Sequence, residues 1–375
     1  MNSFGNFFRL STWGESHGAS IGAVVDGCPA GLELSAEDIQ RELDLRKPGQ
    51  STVSSPRREQ DRVEILSGVF EGRTLGSPIA LMLRNRGQRS GDYEPLADLY
   101  RPGHADFTYQ MKYGRRDPRG GGRSSGRETA ARVAGGAIAR KLLASRGIRV
   151  LAFARRIGEV ALEDREVEAL FTAEPAPEEL ETLRRSIYES PVRCPVADRA
   201  EAMREAVERV AAEQDSLGGI VEARAFGAPA GLGEPVFGKL GALIGQAVLS
   251  VGAVKGVEFG GGFALAAMRG SAANDPFTRN ARGEVVPASN RGGGMAGGIS
   301  TGLPIVCRVA VKPASSIGAA QETVDARGRP VRLSVQGRHD PCIVPRVVPV
   351  IEHMINLVLV DLLLAHMARS SFFKL

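Results

Sequence analysis

Residues 345–369 would form a helix with apolar side chains on nearly every face. Such a helix cannot lie on a surface and has to be enclosed by other elements. Its most apolar stretch, 351–367, is interrupted by Glu352, His353, Asn356, Asp361 and His366, and falls short of the roughly 20 clean residues of a membrane span. The chain is therefore expected to wrap layers around a central helix, with no membrane partner.

Other elements follow from caps and periodicity. Ser35 with Asp38 three residues on starts a helix that runs to about Arg46, before Pro48. Ser125 with Glu128 starts a second, to about Arg146, with Ala130, Val133, Ala134, Ala137, Ile138 and Leu142 as one buried stripe. Further helices are expected over 201–214 and 236–251. Strands are expected over 7–10, 19–26, 305–311 and 331–335, and as a pair over 63–70 and 79–84 around Gly72 and Gly76. Residues 163–195, charged and proline-bearing, read as a surface excursion. Strands come in runs between helices without strict βαβ alternation. The fold class is thus α+β, with antiparallel sheets packed against a helical layer. Length alone admits one large domain or two ordinary ones.

Composition narrows the function classes. Cys28, Cys194, Cys307 and Cys342 have no C-x-x-C spacing, which argues against a metal site or a disulfide framework and for reduced thiols in a cytosolic protein. The start, Met1-Asn-Ser-Phe-Gly, lacks the basic and apolar runs of a signal peptide. Of the 48 basic residues only seven are lysine. Arginine offers a planar fork to carboxylate and phosphate. Bias in the source organism accounts for most of the arginines, but less well for their grouping between Arg84 and Arg132.

Six motifs carry candidate chemistry. Arg101-Pro-Gly-His104-Ala-Asp106 places an imidazole between an arginine and a carboxylate. Gly120-Gly-Gly-Arg123-Ser124-Ser125-Gly-Arg127 brings backbone N–H groups, hydroxyls and guanidinium groups to a helix start, which suits an anion with several charged oxygens. Gly14-Glu-Ser16-His17-Gly18 matches G-x-S-x-G in form, but a strand follows where a nucleophile elbow needs a helix. Lys312-Pro-Ala-Ser-Ser316 offers a phosphate contact, and Gly337-Arg338-His339-Asp340 a charged turn. The glycine-dense run 290–300 would let backbone approach a flat ligand. His17 and His104 suit proton transfer near neutral pH, although each also fits a structural role. Two rival classes stay open on residues alone. An RNA binder using arginine and glycine would want aromatic platforms, yet aromatics are 5%. A hydrolase would be built on Ser16.

Taken in order, ten segments resemble the chorismate synthase family. They are Gly14-Glu-Ser-His-Gly18, Arg46-Lys-Pro-Gly49, Leu66 to Gly72, Arg101 to Asp106, Arg123 to Ala130, Ala228 to Pro235, Ala253 to Glu258, Gly297 to Ser300, Lys312 to Ser316 and Gly337 to Cys342. The resemblance implies a single domain over 1–375, folded as a β-α-β sandwich with a helical layer between antiparallel sheets. It implies a carbon–oxygen lyase of the shikimate pathway to aromatic amino acids. The reaction is the anti-1,4-elimination of phosphate from 5-enolpyruvylshikimate-3-phosphate to chorismate, with reduced FMN as cofactor. NADPH or an external flavin reductase would supply the electrons. A cytoplasmic homotetramer with no nucleic-acid partner is implied.

By the same resemblance His17, supported by Ser16, stabilises the departing phosphate. His104 protonates or neutralises the flavin, and Asp340 keeps flavin N5 able to accept hydrogen. Arg46, Arg101, Arg127 and Arg338 would cage the substrate anion. Flavin contacts fall to Arg123, Ser124, Ser125, Val251, Gly252, Gly297, Lys312, Pro313, Ala314, Ser315, Ser316 and Arg338. Thr52 stands where the family often has an arginine that contacts nicotinamide. Gly126, Gly252 and Arg291 also depart from the usual residue, and 281–287 reads as a loop extension.

Overall fold

Alternating apolar residues build the first sheet, and Ile79, Leu81 and Leu83 of one strand all face inward with no exposure. A computed structural model describes residues 1–50, 59–86, 96–172, 175–280, 283–335 and 340–370. In chain order β1 (Ser3–Phe4), β2 (Arg9–Gly14), β3 (Ser20–Asp26), α1 (Ala36–Arg46) and β4 (Val63–Ile65) come first. The hairpin β5 (Val69–Phe70) and β6 (Arg73–Thr74), then β7 (Ile79–Arg84), α2 (Asp106–Tyr113) and α3 (Thr129–Ala144) follow. Next are β8 (Arg149–Ile157), β9 (Val160–Ala161), α4 (Asp164–Glu168), α5 (Pro177–Glu189), α6 (Ala197–Ala212) and β10 (Gly219–Phe226). The last part holds α7 (Leu240–Leu249), β11 (Val254–Phe259), α8 (Gly270–Ala273), β12 (Phe277–Arg279) and β13 (Val285–Pro287). It ends with β14 (Met295–Ala296), β15 (Ile299–Ser300), β16 (Ile305–Val311), β17 (Gln321–Val324), β18 (Pro330–Leu333) and α9 (Val344–Ser370).

Two antiparallel five-stranded sheets result, ordered β1-β2-β3-β7-β4 and β11-β16-β10-β8-β9. Helix α3 packs against β2, β3 and β7, helix α9 against β8 and β10, and the two helices pack on each other. Helices α1 and α7 flank the pair. One continuous core joins Ile21 and Leu81 of the first sheet, Val133 and Ile138 of α3, Ile355 and Leu359 of α9, and Val221 and Cys307 of the second sheet. Each such side chain contributes about 1.5–3 kcal/mol of burial. Mixed helices and antiparallel sheets make this an α+β protein.

Helix α9 is enclosed, as its composition requires. By length and apolarity it matches a membrane span, yet 89% of its most apolar window is buried inside the protein. Three of its polar interruptions, Glu352, His353 and Asp361, have internal partners. Glu352 accepts from Arg184 Nε at 2.8 Å and the Tyr188 hydroxyl at 3.2 Å, and His353 Nε2 lies 3.0 Å from Glu42. Asp361 accepts the backbone N–H groups of Asn6, Phe7 and Phe8, which pins the chain start to this helix. Burial would raise the Glu42 pKa, but the charge of Arg184, then His353 and Arg140, hold it well below the carboxylate range.

Several expectations need correction. Helix α3 begins at Thr129, three residues later than its sequence cap suggests. Ser125 instead caps a 3₁₀ turn, accepting from the Arg127 N–H. The reciprocal bond from Glu128 does not form, because its carboxylate takes Thr12 and Arg132 instead. The buried part of α3 is broader than one stripe, since Ala131, Gly135, Gly136, Ala139 and Leu143 are also covered. Val69–Phe70 forms its own hairpin rather than prolonging β4.

Residues 163–195 are not a bare excursion. Helix α5 packs on β8 and buries Leu180, Arg184 and Ile187. Strands β8, β10 and β11 have no counterpart among the elements expected from sequence. Part of the 281–287 extension forms β13, paired with β12. All four cysteines are buried and free, and burial pushes the thiols of Cys307 and Cys342 up to about 12.

Candidate active site

The β2–β3 turn carries Ser16 and His17 to the rim of a cavity of about 990 Å³. Four other segments meet it there: the loop into α2 with His104, the loop 120–129 into α3, the turn 250–253 after α7, and Lys312–Ser316 after β16. The segment leading into α9 closes the cavity with Asp340 and Ile343, and the first turn of the helix adds Arg346. Among the described residues the lining holds eleven arginines and lysines against five carboxylates. The site is electropositive and suits a ligand with several negative charges.

The glycine loop is fitted to the histidine turn. Gly120 has φ +66°, and a Cβ there would lie 2.8 Å from His17 Cδ2, 2.9 Å from His17 Nε2 and 3.1 Å from Ser16 Oγ. Only glycine allows both the conformation and the approach. Ser16 Oγ is buried with no hydrogen-bond partner. A buried hydroxyl left alone costs free energy that a bound acceptor or donor would recover. Gly103 brings the His104 loop against Ser315 and Lys312. Burial, then the neighbouring charge of Lys255, lowers the Lys312 pKa.

The arginines divide into two groups. Arg46 is fully buried; it donates to Asp61 at 2.6 Å and, more weakly, to the Gly126 carbonyl at 3.2 Å and Thr129 Oγ1 at 3.4 Å, while its Nε has no partner. Arg127 donates to Asn85 at 2.9 Å, Glu59 at 2.9 Å and Asp61. Burial opposes the Arg46 charge, Asp61 supports it, and Arg346 and Arg127 oppose it again, leaving its pKa lowered. Asp61, with φ +45°, thus bridges both guanidinium groups at the cavity wall.

Arg101 and Arg123 are committed elsewhere. Arg101 grips Asp106 with two bonds of 2.7 Å and donates to the Gly120 carbonyl at 2.8 Å. Through these bonds it ties the His104 loop to the glycine loop. Arg123 donates to the Gly14 and Thr12 carbonyls and to Thr12 Oγ1, fastening the glycine loop to β2. Arg132 reaches Ser250, which joins α3 to the turn holding Val251 and Gly252.

The structure brings Ser16, His17, Arg46, Arg101, His104, Arg123, Ser124, Ser125, Arg127, Val251, Gly252, Lys312, Pro313, Ala314, Ser315, Ser316 and Asp340 to one cavity. Gly297 is the exception: it makes the turn between β14 and β15 with φ +60° and does not line the cavity. Its glycine answers the turn geometry. Arg338, His339 and Thr52 lie outside the described residues. Three contributors had not been legible in the sequence. Glu59 and Asp61 carried no motif, and Arg346, at 2.5 Å from Asp340, lay inside an apolar run. The six-residue spacing from Asp340 to Arg346 was the one available signal.

Comparison with known proteins agrees with this geometry. The family model for chorismate synthase matches residues 8–364. A chorismate synthase of Chloroflexus aggregans is 55% identical over 99% of this chain and 98% of its own length. One of Roseiflexus castenholzii is 53% identical over 97% of each. A crystal structure of chorismate synthase superposes with a TM-score of 0.75 at 34% identity, covering 97% of this chain and 93% of the other. The chain belongs to the chorismate synthase family, carbon–oxygen lyases that convert 5-enolpyruvylshikimate-3-phosphate to chorismate by anti-1,4-elimination of phosphate in the last step of the shikimate pathway.

Proposed function

We propose that this reaction runs in the cavity between the β2–β3 turn and the start of α9, with His17, His104 and Asp340 as proton-handling groups and Ser16 assisting His17. The observation that carries the reading is the convergence of five sequence-distant motifs on one electropositive cavity. The substrate bears a phosphate and two carboxylates. Arg46 and Arg127 are the guanidinium groups placed to hold it, with Arg338 as a further candidate. Arg101 contributes by holding Asp106 and the Gly120 carbonyl.

The residues present fit reduced FMN. The volume exceeds what the substrate needs, the lining is cationic, and Ser16 Oγ is a buried polar atom without a partner. Ser124, Ser125, Val251, Gly252 and Lys312 to Ser316 would hold it, and Arg123 would do so through the loop it anchors. When bound, reduced FMN supplies electron density to the breaking carbon–oxygen bond.

His17, protonated, stabilises the charge that grows on the departing phosphate, a role worth about 10²- to 10⁴-fold in rate. Asp340, held by Arg346, keeps the proton balance at flavin N5. His104 handles the proton at the flavin's other end.

The helix contacts support a β-α-β sandwich, and the continuous core supports one domain over 1–375. A homotetramer, a cytoplasmic location, and NADPH or an external flavin reductase as electron source complete the reading. Anaerobic phosphate release with dithionite-reduced FMN tests it. His17→Ala should lose about 10²- to 10⁴-fold in turnover while still binding FMN. Unchanged turnover removes His17 from the mechanism. The same assay with NADPH alone decides whether the chain reduces its own flavin.

A further inference from the structure

The two nitrogens of the His104 ring have different surroundings. Nδ1 is buried and lies 3.0 Å from Asp106 Oδ1. Nε2 meets no described group at hydrogen-bond distance and is open to the cavity that His104 lines. Asp106 has little freedom of its own. Its Oδ2 accepts from the Arg101 backbone N–H at 3.1 Å and from Arg101 Nε at 2.7 Å. Its Oδ1 accepts from Arg101 Nη2 at 2.7 Å and from Arg116 Nη1 at 3.0 Å. Arg116 is fixed in turn on the carbonyls of Ala97 and Leu99, at 2.7 and 2.9 Å.

Burial alone would raise the Asp106 pKa, but the hydrogen bonds and charge of Arg101, with the nearby His104 ring, hold it well below the usual carboxylate range. The carboxylate is therefore ionised throughout the working range of an enzyme. An unprotonated Nδ1 would set its lone pair 3.0 Å from that anionic oxygen, in a place water does not reach. Protonating Nδ1 removes the repulsion and turns it into attraction. The N–H lies off the ideal line to Oδ1, so the contact is mainly electrostatic.

We infer that Asp106 is a positioning residue that keeps neutral His104 in the tautomer protonated on Nδ1, so that Nε2 is the atom that exchanges a proton with the ligand. The inference rests on the assignment of His104 to the reaction made above. It also explains why Arg101 and Arg116 converge on Asp106, since both act through the carboxylate they share. A neutral amide at 106 would weaken this selectivity, because it has no charge to repel a lone pair on Nδ1 and its N–H end can donate to that atom. A carboxylate that sets an imidazole tautomer is a known device elsewhere in enzymes.

The test reads the ring directly. The chain has five histidines, so long-range ¹H–¹⁵N correlation spectra of ¹⁵N-histidine enzyme are assignable by comparison with His104→Gln. Spectra are recorded at about pH 8.5, above the ordinary histidine value of about 6.5. Wild-type His104 should show the proton on Nδ1, and Asp106→Asn should move it wholly or partly to Nε2. Turnover of that variant should fall about 10- to 100-fold with KM little changed. Asp106→Glu should regain part of both the signature and the rate. Arg116→Gln, which loosens the loop but keeps the carboxylate, should keep the wild-type signature. A wild-type ring protonated on Nε2, or an Asp106→Asn spectrum identical to wild type, overturns the inference. Should Asp106→Asn fail to fold, the wild-type and Arg116→Gln spectra still decide. Full turnover in His104→Gln would instead remove His104 from the reaction and leave the proton assignment standing.

Discussion

Replacing Gly120 with alanine should damage catalysis more than stability, and the structure gives both magnitudes. The backbone at Gly120 has φ +66°, where an alanine costs about 1–2 kcal/mol. The new Cβ would sit 2.8 Å from His17 Cδ2, whereas carbon atoms rest at about 3.5 Å or more, so ring or loop must yield by about 0.7 Å. His17 is buried, with 9% exposure, and cannot simply swing into solvent. A misplacement near 1 Å at a reacting group costs on the order of 10²-fold in rate. Gly120→Ala should therefore lose about 10- to 100-fold in turnover and about 1–2 kcal/mol in stability.

Gly122→Ala is the matching control. Its φ is +52°, but a Cβ there meets nothing within 4 Å. It should show a similar stability loss by urea denaturation with turnover close to wild type. Anaerobic phosphate release gives the rates. Equal turnover in the two variants would refute the claim that the glycine loop sets the position of His17.

Arg101→Ala strips a buried carboxylate of its main partner, and breaking such a pair costs about 3–5 kcal/mol. Stability and kcat should fall together; a change confined to KM in steady-state assays would return Arg101 to direct contact with the substrate. Asp361→Ala leaves the N–H groups of Asn6, Phe7 and Phe8 without their acceptor, and should cost roughly 2–4 kcal/mol. An unchanged urea midpoint would contradict that role. Glu42, Asp61 and Asp106 have folded pKa values below their unfolded ones, so the stability they supply is fully present above about pH 4 and is lost as pH falls through the folded values. The contribution of these groups should leave the urea midpoint level from pH 7 to about pH 5 and lower it below about pH 4. Variants at these positions that leave the acid profile untouched would argue against depressed pKa values.

The site was more legible in the sequence than the frame around it. Its chemistry sits in short contiguous motifs, so Ser16 with His17, or Lys312 to Ser316, need no distant information to be noticed. What could not be read locally was saturation. Arg101 and Arg123 look like free anion ligands until Asp106, the Gly120 carbonyl and Thr12 are seen to occupy them. Glu59 and Asp61 reach Arg127 from 68 and 66 positions away, with no motif to announce it.

The second sheet was hidden for a related reason. Strand β8 is buried on both faces over most of its length and does not alternate. Strand β10 carries Glu222 and Arg224, both buried and paired with each other, which disguises it as surface. Residues 163–195 misled in the same way. Arg184 looks solvent-bound in sequence, yet it is buried between Glu42 and Glu352, 142 and 168 positions away. By contrast, the apolar composition of α9 forced its enclosed position, because no other place could cover all its faces.

The convergence of distant motifs on one chamber can be tested by a crystal structure of the chain with oxidised FMN and 5-enolpyruvylshikimate-3-phosphate. The account predicts both ligands in the cavity between Ser16–His17 and Asp340–Arg346, with the phosphate of the substrate within hydrogen-bond reach of His17. Substrate seated anywhere else, or a His17 ring turned away from its phosphate, would contradict it.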